Sequence, residues 1–99
     1  MANHTVRVEL IGVDHNAKKY DDLHDEMKKK GFSRTIKPDS ERFKLPPAEH
    51  SKVSDDTKTA VLNAVKAAAT TVMGSDTKHR ILVTSSDEPR AHWNLEPDE

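Results

Sequence analysis

The apolar residues of this chain repeat with two periods in turn, and that alternation limits the fold more than any other feature. Val6, Val8 and Leu10 recur at every second residue, between Arg7, Glu9 and Ile11, the spacing of a strand with one buried face. Ala17, Tyr20, Leu23 and Met27, with His24 a further candidate, then recur at helical spacing, one apolar stripe on a helix over 17–30. Acidic Asp21, Asp22, Asp25 and Glu26 precede Lys28-Lys29-Lys30 along it, an order that suits the helix dipole. Period two returns in Phe32–Lys37 and Glu41–Leu45, separated by Pro38-Asp39-Ser40, the composition of a hairpin. Val61, Leu62, Val65, Ala68, Ala69 and Val72 give a second helical stripe. Ile81 and Val83 within Arg80–Ser85 close the pattern.

The punctuation agrees with these elements. Asp14 or Asn16 can cap the first helix and Ser54 or Asp55 the second; Gly31 and Gly74 are natural stops. Pro46-Pro47 ends the hairpin, because proline donates no ladder hydrogen bond, and leaves Ala48–Val53 as a connecting loop. Ala91, Trp93 and Leu95 alternate with polar neighbours, a candidate fifth strand. The order β-α-β-β-α-β predicts an α+β fold, a ferredoxin-like sandwich with two helices on one face of an antiparallel sheet. A chain of 99 residues makes a single domain, 1–99, with its core over about 5–85 and a C-terminal strand or acidic tail over 86–99.

The chain has no cysteine, which excludes disulfides, thiolate zinc sites and cysteine nucleophiles. Met1 to Thr5 carries no apolar signal segment, and no apolar run approaches the roughly 20 residues that span a bilayer. No membrane partner is expected; the default compartment is the cytoplasm, bacterial or phage.

Net charge is −1, but it is unevenly spread. Lys28, Lys29, Lys30, Arg34, Lys37, Arg42 and Lys44 face only Asp39 and Glu41 between positions 28 and 44, whereas the tail beyond Ser86 is acidic apart from Arg90. A basic patch attracts phosphate, so Lys28, Lys29, Lys30, Arg34, Arg42 and Lys44 are candidate contacts to single-stranded RNA. Read plainly, the same residues are a solvated helix end and hairpin surface, since few aromatic side chains remain for base stacking. An acidic tail can cover such a patch or aid solubility.

Other chemistry is sparse. Asp14 ends the first strand, where a carboxylate can hold a divalent cation or cap a helix; no other cofactor is expected. The six histidines show no metal-ligand spacing. Among them His50, beside Glu49 after the proline pair, is the candidate base, an exposed imidazole titrating near neutral pH; His92 beside Trp93 is the next. There is no phosphate-binding glycine loop and no nucleophile elbow. Trp93, a lone large ring in a polar tail, needs somewhere to bury itself, on its own chain or on a partner.

Two segments carry a resemblance. Gly31-Phe32-Ser33-Arg34-Thr35-Ile36 and Phe43-Lys44-Leu45-Pro46-Pro47-Ala48-Glu49, with the strand–helix–hairpin–helix–strand order, look like the GhoS family of endoribonuclease antitoxins. The same architecture is shared with small CRISPR adaptation nucleases, whose metal-binding aspartate ends strand one, the place of Asp14. The resemblance implies a dimeric ferredoxin-like protein that cleaves single-stranded mRNA, with Arg34 positioning the scissile phosphate. The chain departs from the CRISPR family in lacking the aromatic neighbour of that aspartate. Two functions are therefore expected to compete. One is an RNA-binding protein, an endoribonuclease antitoxin using His50 and Arg34. The other is a non-catalytic homodimeric interaction module that docks a protein partner through its open sheet face or Trp93.

Overall fold

The computed structural model describes residues 2–14, 16–37, 41–46, 48–88, 90–91, 93 and 95–98. The Pro38-Asp39-Ser40 turn, Pro47, Pro89 and the His92 candidate lie outside the described residues. In chain order the elements are β1 (Ala2–Leu10), α1 (Lys18–Lys29), β2 (Thr35–Ile36), β3 (Phe43–Lys44), β4 (Glu49–Ser54), α2 (Lys58–Met73) and β5 (His79–Ser86). A three-stranded antiparallel sheet runs β4-β1-β5, and β2 and β3 form a separate two-stranded ladder. The fold is α+β.

Alternation along β1 decides where the core lies. Val6, Val8 and Leu10 point one way and are sealed from solvent, while Arg7 and Glu9 point the other way. Tyr20, Leu23 and Met27 of α1 pack on that inner row, as do Val61, Val65, Ala68 and Ala69 of α2. Val6 and Val65 thus share one core, and both helices lie on the same face of the sheet. Each fully buried valine or leucine contributes about 1.5–3 kcal/mol. The helices start and stop close to their predicted ends, with different caps. Thr57, not Ser54 or Asp55, caps α2, its Oγ1 accepting from Ala60 N at 3.1 Å. Ala17 is the N-cap of α1, without a side-chain cap bond, while Asp14 Oδ1 accepts from Asn16 N at 2.9 Å.

Backbone bonding on β1 is divided by parity. Val8 N donates to Ala48 O and Ile11 N to Lys78 O, both at 3.0 Å, so even residues bond toward β4 and odd residues toward β5. The β4 ladder stops short of Leu10, whose N–H would be left buried without a partner. Tyr20 Oη accepts it at 2.9 Å.

The second half of the predicted hairpin is where expectation and structure part. Glu41–Leu45 does not enter the main sheet; only Phe43 and Lys44 pair, with Ile36 and Thr35. The strand beside β1 is Glu49–Ser54, predicted as a loop. A bridge between Ser33 and Ser51 joins the segment after α1 to the outer edge of β4. The tail adds to β3 through Glu96–Asp98; of the candidate fifth strand, Ala91, Trp93 and Leu95 are in no strand, and His92 and Asn94 lie outside the described residues. Lys44 N donates to Glu96 O at 2.8 Å, and Asp98 N to Arg42 O at 3.0 Å.

Candidate functional site

The turn out of α1 creates the surface that matters. Gly31 takes φ +88, and Phe32 folds back into the core, its N–H donating to Met27 O at 3.0 Å. Ser33 then reaches the edge of β4, exchanging two backbone hydrogen bonds with Ser51 at 2.8 and 2.7 Å. Two depressions meet at Ser33. One, of about 310 Å³, is lined by His24, Asp25, Lys28, Phe32 and Arg34. The other, of about 330 Å³, is lined by Thr35, Lys37, Arg42, Ser51, Lys52 and Arg90, with Asn3 at its rim. Among the described residues Asp25 is the one carboxylate in either lining.

The cations in the larger depression are held differently. Lys52 is neutralised locally: its ammonium lies 3.2 Å from Asp56 and donates to Lys30 O at 3.2 Å. Its stem lies over Phe32, with the nitrogen 5.3 Å from the ring centroid, so it closes the core edge. Arg42 Nη1 donates to Thr35 Oγ1 at 3.1 Å, which among the described residues leaves most of the guanidinium fork open. Arg90 comes from the tail and lies across β1, with Nε donating to Thr5 Oγ1 and Nη2 to His4 O, both at 2.6 Å. Desolvation lowers its pKa from the usual arginine value. Among the described residues no carboxylate forms an ion pair with Arg34, Lys37, Arg42 or Arg90.

The predicted basic set divides. Lys28 and Arg34 line the smaller depression and Arg42 the larger. Lys29 pairs with Glu26 at 2.9 Å, and Lys44 lies 4.0 Å from Glu96 of the tail. Lys30 serves through its carbonyl, under Lys52. Lys37, counted in the basic run but not among the candidate contacts, and Arg90 join Arg42 in the larger depression. The signal for Arg90 was its isolation among tail acids, but only the fold carries it back over β1.

His50 is not an exposed imidazole. It sits opposite Val6 on the inner face of the sheet, 1% exposed. Its Nε2 and His24 Nδ1 share a hydrogen bond of 3.0 Å, and its Nδ1 is buried without a partner among the described residues. A buried N–H is harder to leave orphaned than an acceptor lone pair, which puts the His50 proton on Nε2, donated to His24. Burial, then His24, then Arg34 hold the His50 pKa down at about 3. Burial and then Arg34 lower His24 as well. From this depth His50 cannot touch a bound molecule; His24 is the imidazole at the surface.

Asp14 is exposed, and among the described residues no group of three or more His, Asp or Glu side chains could hold a metal ion. Trp93 is 91% exposed, beside Arg90, Ile36 and Leu45 in a further depression, so its own chain does not bury the ring. Among the described residues no helix is long and apolar enough to cross a membrane. No family model matches the chain, nor does any curated protein or solved structure.

Proposed function

We propose that the chain binds single-stranded RNA along the two depressions that meet at Ser33. The observation that carries this reading is the charge of their walls. Lys28 and Arg34 lie on one side of Ser33, and Lys37, Arg42 and Arg90 on the other, with Asp25 the one acid among the described residues of either lining. Guanidinium groups with open forks suit phosphate oxygens, and the hydroxyls of Thr35 and Ser51 add short polar contacts. The exposed Trp93 ring beside Arg90 supplies what a cationic groove alone lacks, a flat surface on which a base can stack. A ferredoxin-like description of the fold is supported by the order β4-β1-β5 and by the Ser33–Ser51 bridge, which adds the chain after α1 to the outer side of β4. The GhoS resemblance rests on segments 31–36 and 43–49; with it go the antitoxin role, a cytoplasmic setting and RNA cleavage.

The test is fluorescence anisotropy with a mixed pool of short single-stranded RNA at low salt, with magnesium or with chelator. Wild-type protein binds; the triple variant R34A/K37A/R42A loses most of the affinity. K44A, whose ammonium faces Glu96, binds as wild type. Absence of binding at low salt, or equal binding by the triple variant, refutes the reading. Gel analysis of the same mixtures reads cleavage. Products that vanish with R34A extend the reading to an endoribonuclease, and intact RNA confines it to binding.

A second reading, a non-catalytic interaction module, is favoured by the exposed apolar side chains on the open face, Val53 at 56% and Leu82 at 63%.

A further inference from the structure

β5 is an outer strand of the sheet, its far edge unpaired among the described residues. Since odd residues of β1 bond β5 and Arg7 pairs with Leu82, the even residues of β5 direct their N–H and C=O groups toward β1. Those of His79, Ile81, Val83 and Ser85 point away from the sheet. Among the described residues none of these outward backbone groups has a backbone partner. Natural edges are usually guarded by lysine, proline, a bulge or an inward charge. The sequence HRILVTSS has none of these; its one charge, Arg80, is bonded to Glu9 at 2.9 Å.

We propose that this edge pairs antiparallel with the same edge of a second copy, about a twofold axis at Leu82, to make a continuous six-stranded sheet. The register follows from parity and side-chain chemistry. Outward groups must meet outward groups, so only even shifts are allowed. With the axis at Leu82, Ile81 bonds Val83 of the second copy and His79 bonds Ser85, in both directions. On the open face Leu82, 63% exposed, lies directly against its own copy, and Arg80 faces Thr84. No charge meets its like. Shifting by two residues either way sets Leu82 against Arg80 or Thr84 and splits the Ile81–Val83 pairs. A second copy fits this edge because its apolar and polar positions are complementary to themselves under the twofold. The interface is small, so the dimer is weak and depends on concentration. This inference is independent of the RNA reading, whose depressions lie at the opposite side of the sheet.

The chain's lack of cysteine makes a clean test. In the Leu82→Cys variant the two sulfurs sit on a non-hydrogen-bonded pair with Cα atoms about 4.5 Å apart, within disulfide range. In Thr84→Cys the two copies of position 84 are four residues out of step, roughly 14 Å apart. Mild oxidation followed by non-reducing gel analysis should convert L82C, and not T84C, to a covalent dimer. Adding Val83→Pro removes an outward N–H, which β1 does not use, and trims a side chain packed at the core's edge; it should abolish the cross-link while circular dichroism stays native. Should V83P fail to fold, Leu82→Lys on the exposed face gives the same reading, sedimenting as monomer at concentrations where wild type dimerises. A wild type that stays monomeric up to millimolar concentration overturns the proposal. So does equal cross-linking of L82C and T84C, or cross-linking that survives in folded V83P.

Discussion

A histidine in water ionises near pH 6.5, and burial beside a second imidazole holds His50 at about 3. The sign of the consequence is fixed. His50 is neutral when folded, so above pH 6.5 neither state takes up a proton and the full stability is present. As pH falls below 6.5 the unfolded chain binds a proton that the folded chain refuses, and stability declines until pH approaches the folded value. Each unit costs about 1.4 kcal/mol for such a group, so about 2 kcal/mol disappears between pH 6.5 and 5; His24, also lowered, adds to the slope. Urea denaturation at pH 7, 6 and 5 should show this decline in wild type and a shallower one in His50→Leu. That variant removes both the titrating group and the buried unpaired Nδ1, and keeps its stability at pH 7. A wild-type slope unchanged by H50L would assign the acid sensitivity elsewhere. Sequence alone could not find this pair, because nothing in the spacing of positions 24 and 50 says that α1 passes over β4.

At the scale of elements, legibility followed how apolar the inward row is. α1 and α2 read correctly because their buried faces are Tyr20, Leu23, Met27 and Val61, Val65, Ala68, Ala69. β1 read correctly for the same reason. β4 did not, because its inward positions are His50 and Lys52, while its larger aliphatic residue, Val53, faces out. Phe43 and Leu45 gave the false signal; they anchor the small ladder, and Leu45 N bonds Arg34 O at 2.8 Å instead of β1. The ends of α2 are local enough to predict. Thr57→Ala removes the acceptor for Ala60 N and should cost about 0.5–2 kcal/mol. Gly74→Ala meets open space but must hold φ near +75, so it should cost about 1–2 kcal/mol from backbone strain alone. Both are read as lowered denaturant midpoints at unchanged m. A midpoint equal to wild type for G74A would mean that α2 ends differently in solution.

At the scale of the molecule, the sequence showed a basic middle, but tertiary structure sorted it. It turned Lys44 toward Glu96, tied Lys52 to Asp56, and brought Arg90 back from the acidic tail. Two physical terms in RNA binding can then be separated, because they sit on different residues. Six described cations line the joined depressions; Lys52 is already held by Asp56, which leaves Lys28, Arg34, Lys37, Arg42 and Arg90 for phosphate. If each neutralises one phosphate, log affinity falls against log salt with a slope of about −3.5, taking about 0.7 per contact for single strands. K37A/R42A should shallow that slope by about 1.4. Trp93→Ala carries no charge change; it should weaken binding by about 1–3 kcal/mol if a base stacks on the ring and leave the slope as it was. Anisotropy titrations over a range of salt check both variants in one series. If W93A shallows the slope, the ring acts by holding Arg90 in place rather than by stacking. If K37A/R42A leaves the slope unchanged, the phosphates run elsewhere, and the joined depressions are not the RNA path.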